Sequence, residues 1–170
     1  RAEGRAALSQ ALDAGSVARA MLVSLGARAS KPAERAVNRA LVVSADHELN
    51  ASTFALRIAA SAGADLYACL SAGLATLSGP LHGGVSDQVE ALIAEAGRPE
   101  GARATVNDRA RRGEPIPGFG HTLYPEGDPR APPLLAVAEE VGGQRIALRT
   151  VLALVEAMRE AGRGEPTLDI

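Results

Sequence analysis

Leucine recurs at positions 66, 70, 74 and 77 of this chain, each three or four residues after the last. That spacing brings the side chains back to one face of a 3.6-residue turn, so the stretch presents a single apolar stripe only as a helix. The pattern repeats along the chain. Residues 5–12, 16–26 and 33–43 carry it, with Gly15, Gly26 and Pro32 as punctuation. Asn50, Ser52 and Thr53 supply a cap for a helix running to about Ala62, and Gly63 separates it from the leucine stretch, which Gly79-Pro80 stops. Val85, Val89, Leu92, Ile93 and Ala96 predict another helix, with Ser86 and Asp87 in its first turn and Gly97 at its end. Residues 132–141 and 145–161 resume the pattern, the latter with Leu148, Val151, Leu152, Val155 and Met158 on one face. No stretch reads as a strand, and residues 98–120, rich in Gly, Pro and Arg, are expected to be largely loop.

The expected fold is therefore all-α. Composition agrees: 46% of residues are hydrophobic but only 2% aromatic, so alanine, leucine and valine must fill the core through closely packed helices. At 170 residues the chain is one domain, or a small domain with part of a larger one. A net charge of −2 provides no overall basic field for nucleic acid or an anionic membrane. Cys69, the single cysteine, lies in an apolar helical pattern and reads as a small buried hydrophobe, which fits a reducing cytoplasm. No secretory leader is evident, and the 66–81 stretch, interrupted by glycine, serine and tyrosine, reads as a soluble helix, not a membrane span. The chain starts at Arg1 and ends at Ile170 just after an apolar-acidic pair, and both ends read as cuts.

The three histidines lie in the segments between helices or at their edges. His47 sits between two carboxylates in "ADHELN", which taken alone reads as a surface-turn histidine at the entry to a helix. His82 stands in "GPLHGG", where Pro80 fixes the entry and Gly83-Gly84 let the backbone approach another group. Beside a helix N-terminus, a neutral ring donating one hydrogen bond suits that place. His121 ends "PGFGH", and nine residues later Arg130 offers a planar fork suited to a carboxylate, or to a local salt link with Asp128. Spacings of 35 and 39 residues between the histidines match no local metal motif, so no metal is expected. Neither G-x-S-x-G nor a glycine-rich phosphate loop occurs.

"SADHELNASTFALRIAASAGADLYACLSAGLATLSGPLHGG", "PGFGHTLYPEGDPRA" and "EPTLDI" resemble, in order, the signatures of the citrate synthase family. The resemblance is dense over 44–84 and 116–131 and thinner over 165–170. It implies an all-α fold in which 1–82 form part of a large domain with dimer-forming helices, and 83–170 form a small domain that closes over substrate. It also implies a homodimer. The implied reaction is condensation of acetyl-CoA with oxaloacetate, giving citrate and CoA with no permanently bound cofactor. In that reading His82 bonds the thioester carbonyl, His121 polarises the ketone and Asp169 removes a methyl proton. His47 and Arg130 hold oxaloacetate, while Pro117, Gly118, Phe119 and Gly120, with Arg112 or its neighbours Arg109 and Arg111, meet CoA. Thr167 stands where the family commonly has asparagine. 2-Methylcitrate synthesis, citryl-CoA cleavage, and a non-catalytic member that binds CoA or a dicarboxylate or only dimerises remain open alternatives.

Overall fold

The computed structural model describes residues 8–45 and 49–170, and within them the chain is a succession of short helices. These are α1 (Val17–Ser24), α2 (Lys31–Ser44), α3 (Ala51–Ser61), α4 (Leu66–Leu77), α5 (Val85–Ala96), α6 (Ala102–Arg112), α7 (Ala131–Gly142) and α8 (Ile146–Glu160). Residues 8–12 are helical too, and a 3₁₀ turn, Pro99–Gly101, leads into α6. Among the described residues no strand forms; Phe119 and Pro166 make an isolated antiparallel bridge. No described helix is long and apolar enough to cross a membrane.

The helix starts follow the capping residues. The side chains of Ser16, Ser30, Asn50 and Asp65 each accept a backbone N–H from the first turn of α1, α2, α3 and α4. One expectation fails. The segment 98–120 is not largely loop, because α6 occupies 102–112. Its sequence, ARATVNDRARR, is polar overall, but alanine and arginine are strong helix formers, and Ala102, Thr105 and Val106 fall on one buried face. Three arginines in the last turn complement the negative end of the helix dipole, and Gly113 closes the helix in the left-handed conformation.

Leu92, Ala96, Ala102, Val106, Leu154, Ala157 and Met158 form a buried cluster, so the core lies where α5, α6 and α8 meet. Ile116 and Phe119 pack against it from the loop that follows α6. Upstream, α3 and α4 form a hairpin that packs tightly on itself. Gly73 is its closest point, since a Cβ there would sit 3.4 Å from the Leu56 side chain. Cys69 is buried in the same hairpin and its thiol lies 3.5 Å from the Ala64 carbonyl. Helix α2 packs against both α1 and α7, which brings the first part of the chain onto the last.

Candidate active site

The turn between α4 and α5 presents His82. The His82 and Gly84 amides both donate to the Gly79 carbonyl, at 2.9 and 3.1 Å, folding the turn back on itself. A Cβ on Gly83 would lie 2.7 Å from the Leu77 carbonyl oxygen, and one on Gly84 2.8 Å from that of Gly79. Both glycines are therefore required by close backbone approach. His82 Nε2 lies 2.9 Å from Ser52 Oγ in the first turn of α3, and Ser52 Oγ is also 2.9 Å from Asn50 Oδ1. A hydroxyl carries one proton. Ser52 Oγ gives it to Asn50 Oδ1, so a neutral His82 ring donates to Ser52 Oγ from Nε2; with the hydroxyl turned to His82 Nε2 instead, the ring's proton sits on Nδ1.

His121 follows Gly120 in the loop after α6. The Leu123 amide donates to His121 Nδ1 at 3.1 Å, so a neutral ring carries its proton on Nε2. The ring of Tyr124 lies 5.0 Å from that of His121, and the Arg130 guanidinium lies 5.4 Å from the Tyr124 centroid, within cation–π range. Arg130 also forms a two-pronged pair with Asp128, Nε to Oδ1 and Nη2 to Oδ2, each at 2.8 Å. This is the salt-linked turn that the "DPR" sequence allows.

Asp128 is the most constrained charge in the site, with 3% of its surface exposed. Besides the guanidinium, it accepts the Arg130 amide at 2.9 Å and, from 40 residues away, the Leu168 amide at 3.2 Å. Burial pushes its carboxyl upward, but the Arg130 hydrogen bonds and charge, with the Leu168 amide, outweigh burial and hold it below the usual carboxylate range. In turn the hydrogen bond to Asp128 raises Arg130 above its ordinary value, and the charges of Tyr124 and Asp169 add to the effect. Asp169 is thus within electrostatic reach of Arg130.

Asp169 lies in a short segment whose backbone is held from three sides. The Thr167 amide donates to the Gly118 carbonyl at 2.9 Å, the Leu168 amide to Asp128, and the Asp169 amide to Thr167 Oγ1 at 3.3 Å. His82, His121, Arg130 and Asp169 all line one cavity of about 1000 Å³. Tyr124 and Asn50 line it as well. His47 lies outside the described residues. Among the described residues no group of three or more His, Cys, Asp or Glu side chains could hold a metal ion.

The residues expected to meet CoA lie elsewhere. Pro117, Gly118, Phe119 and Gly120 are not in the lining of this cavity. They join the Asp169 segment, through the Phe119–Pro166 bridge and the Gly120 amide on the Glu165 carbonyl at 2.9 Å. Arg112 binds the carboxylate of Glu114 through Nε at 2.7 Å and that of Glu95 through Nη2 at 3.4 Å, while Arg109 pairs with Glu95. The sequence offers Ser52 only as a helix cap, and it does not give Tyr124 or the long-range bond of Asp128. Tyr124, three residues after His121 in "HTLY", was the one with a visible signal; the partners of Ser52 and Asp128 lie 30 and 40 residues away.

Comparison with known proteins bears directly on this arrangement. Residues 1–167 match the family described as citrate synthase, C-terminal domain. Citrate synthase 2 of Bacillus subtilis is 40% identical over 116 residues, which are 68% of this chain and 31% of that protein. The chain therefore spans about a third of the length of the curated relatives it matches. Among solved structures, the ternary complex of carboxymethyl coenzyme A and oxaloacetate with citrate synthase from Thermoplasma acidophilum superposes with a TM-score of 0.79 at 30% identity, over 92% of this chain and 43% of that one. Citryl-CoA lyase from Hydrogenobacter thermophilus superposes with a TM-score of 0.77 at 25% identity, over 95% of this chain and 65% of that one. With its all-α architecture and the extent of these matches, the chain belongs to the citrate synthase family.

Proposed function

We propose that the full-length protein condenses acetyl-CoA with oxaloacetate to give citrate and CoA. The observation that carries this reading is the presence of His82, His121, Arg130 and Asp169 around one cavity. A thioester α-proton is a weak acid, so a carboxylate removes it only if a donor stabilises the charge that develops on the carbonyl oxygen. Asp169 takes the methyl proton, and the C–H electron pair forms the enol double bond as the thioester π pair moves to oxygen, where His82 is the donor, through Nδ1–H once Ser52 turns its hydroxyl from Asn50 to His82 Nε2. The enol carbon then bonds to the ketone carbon of oxaloacetate. His121 Nε2–H gives its proton to the ketone oxygen and takes one back from solvent, and Arg130 holds a carboxylate of the acceptor in register, as His47 does in the same reading. Water cleaves the citryl thioester and releases citrate and CoA.

For CoA, the reading uses the 117–120 loop and Arg112, with that arginine exchanging Glu114 for a phosphate. We further infer that residues 83–170 form the smaller, closing domain, with residues 1–82 in the larger one. The apolar side chains that α3 and α4 leave exposed support a homodimer built on that hairpin, and the buried thiol supports a cytoplasmic protein.

A second reading is cleavage of citryl-CoA to acetyl-CoA and oxaloacetate, favoured by the likeness to citryl-CoA lyase. The same residues serve it in reverse. The test is free-thiol release by the full-length protein. Condensation predicts release from acetyl-CoA only when oxaloacetate is present, and a loss of at least about 100-fold in Asp169→Ala. Release without oxaloacetate, or an undiminished rate in that variant, would overturn it. Conversion of citryl-CoA to acetyl-CoA without citrate would favour the lyase.

A further inference from the structure

We propose that the Thr167 hydroxyl is a positioning residue for Asp169, holding Oδ2 so that Oδ1 is the oxygen that takes the substrate proton. The assignment rests on the reading of Asp169 as the base. Thr167 Oγ1 donates to Asp169 Oδ2 at 3.2 Å and accepts the Asp169 amide at 3.3 Å, so one hydroxyl contacts the residue at both its carboxylate and its backbone. Thr167 is buried, and its own amide is fixed on the Gly118 carbonyl at 2.9 Å. The hydroxyl is therefore held from the backbone side and has little freedom to follow Asp169.

A hydroxyl has one proton to donate and two lone pairs to accept with, and this geometry uses the proton and one lone pair on the same neighbour. An Oδ2 that already accepts Thr167 O–H is the poorer acceptor for a second proton. Oδ1 is left for the methyl hydrogen. Such positioning acts on the rate of proton removal more than on binding, because reacting atoms must be held within a few tenths of an ångström of the productive geometry.

The test uses the full-length protein with Thr167→Val, which keeps the shape and loses the hydroxyl, and Thr167→Ser, which keeps the hydroxyl. Thr167→Val is expected to lower kcat about 10- to 100-fold with KM for oxaloacetate unchanged within about twofold, and to enlarge the isotope effect on kcat with methyl-deuterated acetyl-CoA. Thr167→Ser is expected to restore both kcat and the isotope effect. Amide hydrogen exchange provides a readout independent of turnover. The Asp169 amide should exchange at least about tenfold faster in Thr167→Val, whereas the Leu168 amide, bonded to Asp128, should not change. A Thr167→Val protein with wild-type kcat and wild-type exchange at Asp169, or a Thr167→Ser protein as slow as Thr167→Val, overturns the assignment. If wild-type protein releases no thiol from acetyl-CoA yet exchange responds as stated, the reaction assigned above fails and the Thr167–Asp169 link stands.

Discussion

The bundle of α5, α6 and α8 and the hairpin of α3 and α4 draw on the same apolar residues, yet they bury them very differently. In the bundle Leu92 and Leu154 are 0% exposed. In the hairpin α3 buries no residue fully and α4 only Cys69 and Gly73, while Leu66 and Tyr67 are 68% and 82% exposed. Contiguous exposed apolar faces of this kind are uncommon on monomers and mark surfaces that other protein covers. The difference teaches that the two halves of the cavity wall depend on different things. His121 and Asp169 sit on a self-sufficient core, whereas Ser52 and His82 sit at the ends of a hairpin whose outer face is unsatisfied within this chain.

The comparison is broken most forcefully in the bundle. Leu154→Ala is expected to cost about 2–5 kcal/mol in chemical denaturation, because it opens a cavity in a filled core. A cost under about 1 kcal/mol would mean that the bundle is no better packed than the hairpin.

Asp128→Asn comes next, at about 2 kcal/mol, since it leaves Arg130 without its charged partner and weakens the hold on the Leu168 amide. The pH dependence has a definite sign. A carboxyl whose folded value is depressed stabilises the fold fully above its unfolded value, near 4, and the contribution is lost as pH falls through the folded value. The stability gap between wild type and Asp128→Asn should thus be widest at neutral pH and close below about pH 4. Thermal melts at stepped pH measure it, and a gap that persists into strong acid would sink the assignment.

In the hairpin, Leu66→Ser with Leu74→Ser should change the stability of the monomer by less than about 1 kcal/mol, because both side chains are already largely in water. Sedimentation should nonetheless show loss of self-association in the full-length protein. A loss of stability as large as that of Leu154→Ala would show that the face is covered from within. The smallest effect is expected at the exposed Arg111–Asp108 pair, where Arg111→Ala should shift stability by under about 0.5 kcal/mol.

Most of this fold was legible because apolar periodicity and capping residues act locally. Asn50 and Gly97 mark helix ends in the sequence as they do in the structure. Helix α6 was hidden because its buried face is only Ala102, Thr105 and Val106, too small and too polar to register against five neighbouring arginines and acids. In the site, His82, His121, Arg130 and Asp169 were readable from their motifs, since each sits in a short segment with its own backbone demands. Their meeting around one cavity followed from the family resemblance alone, not from any residue pattern. It depends on contacts such as Ser52 with His82 and Asp128 with Leu168, which link residues 30 and 40 positions apart and leave no periodic trace.

The burial of Cys69 has a practical consequence. It is the sole thiol among these 170 residues and is only 4% exposed, one turn before the close approach at Gly73. A thiol-reactive dye would modify it only when α3 and α4 part, so its labelling rate is a built-in clock for local opening of the wall that carries His82.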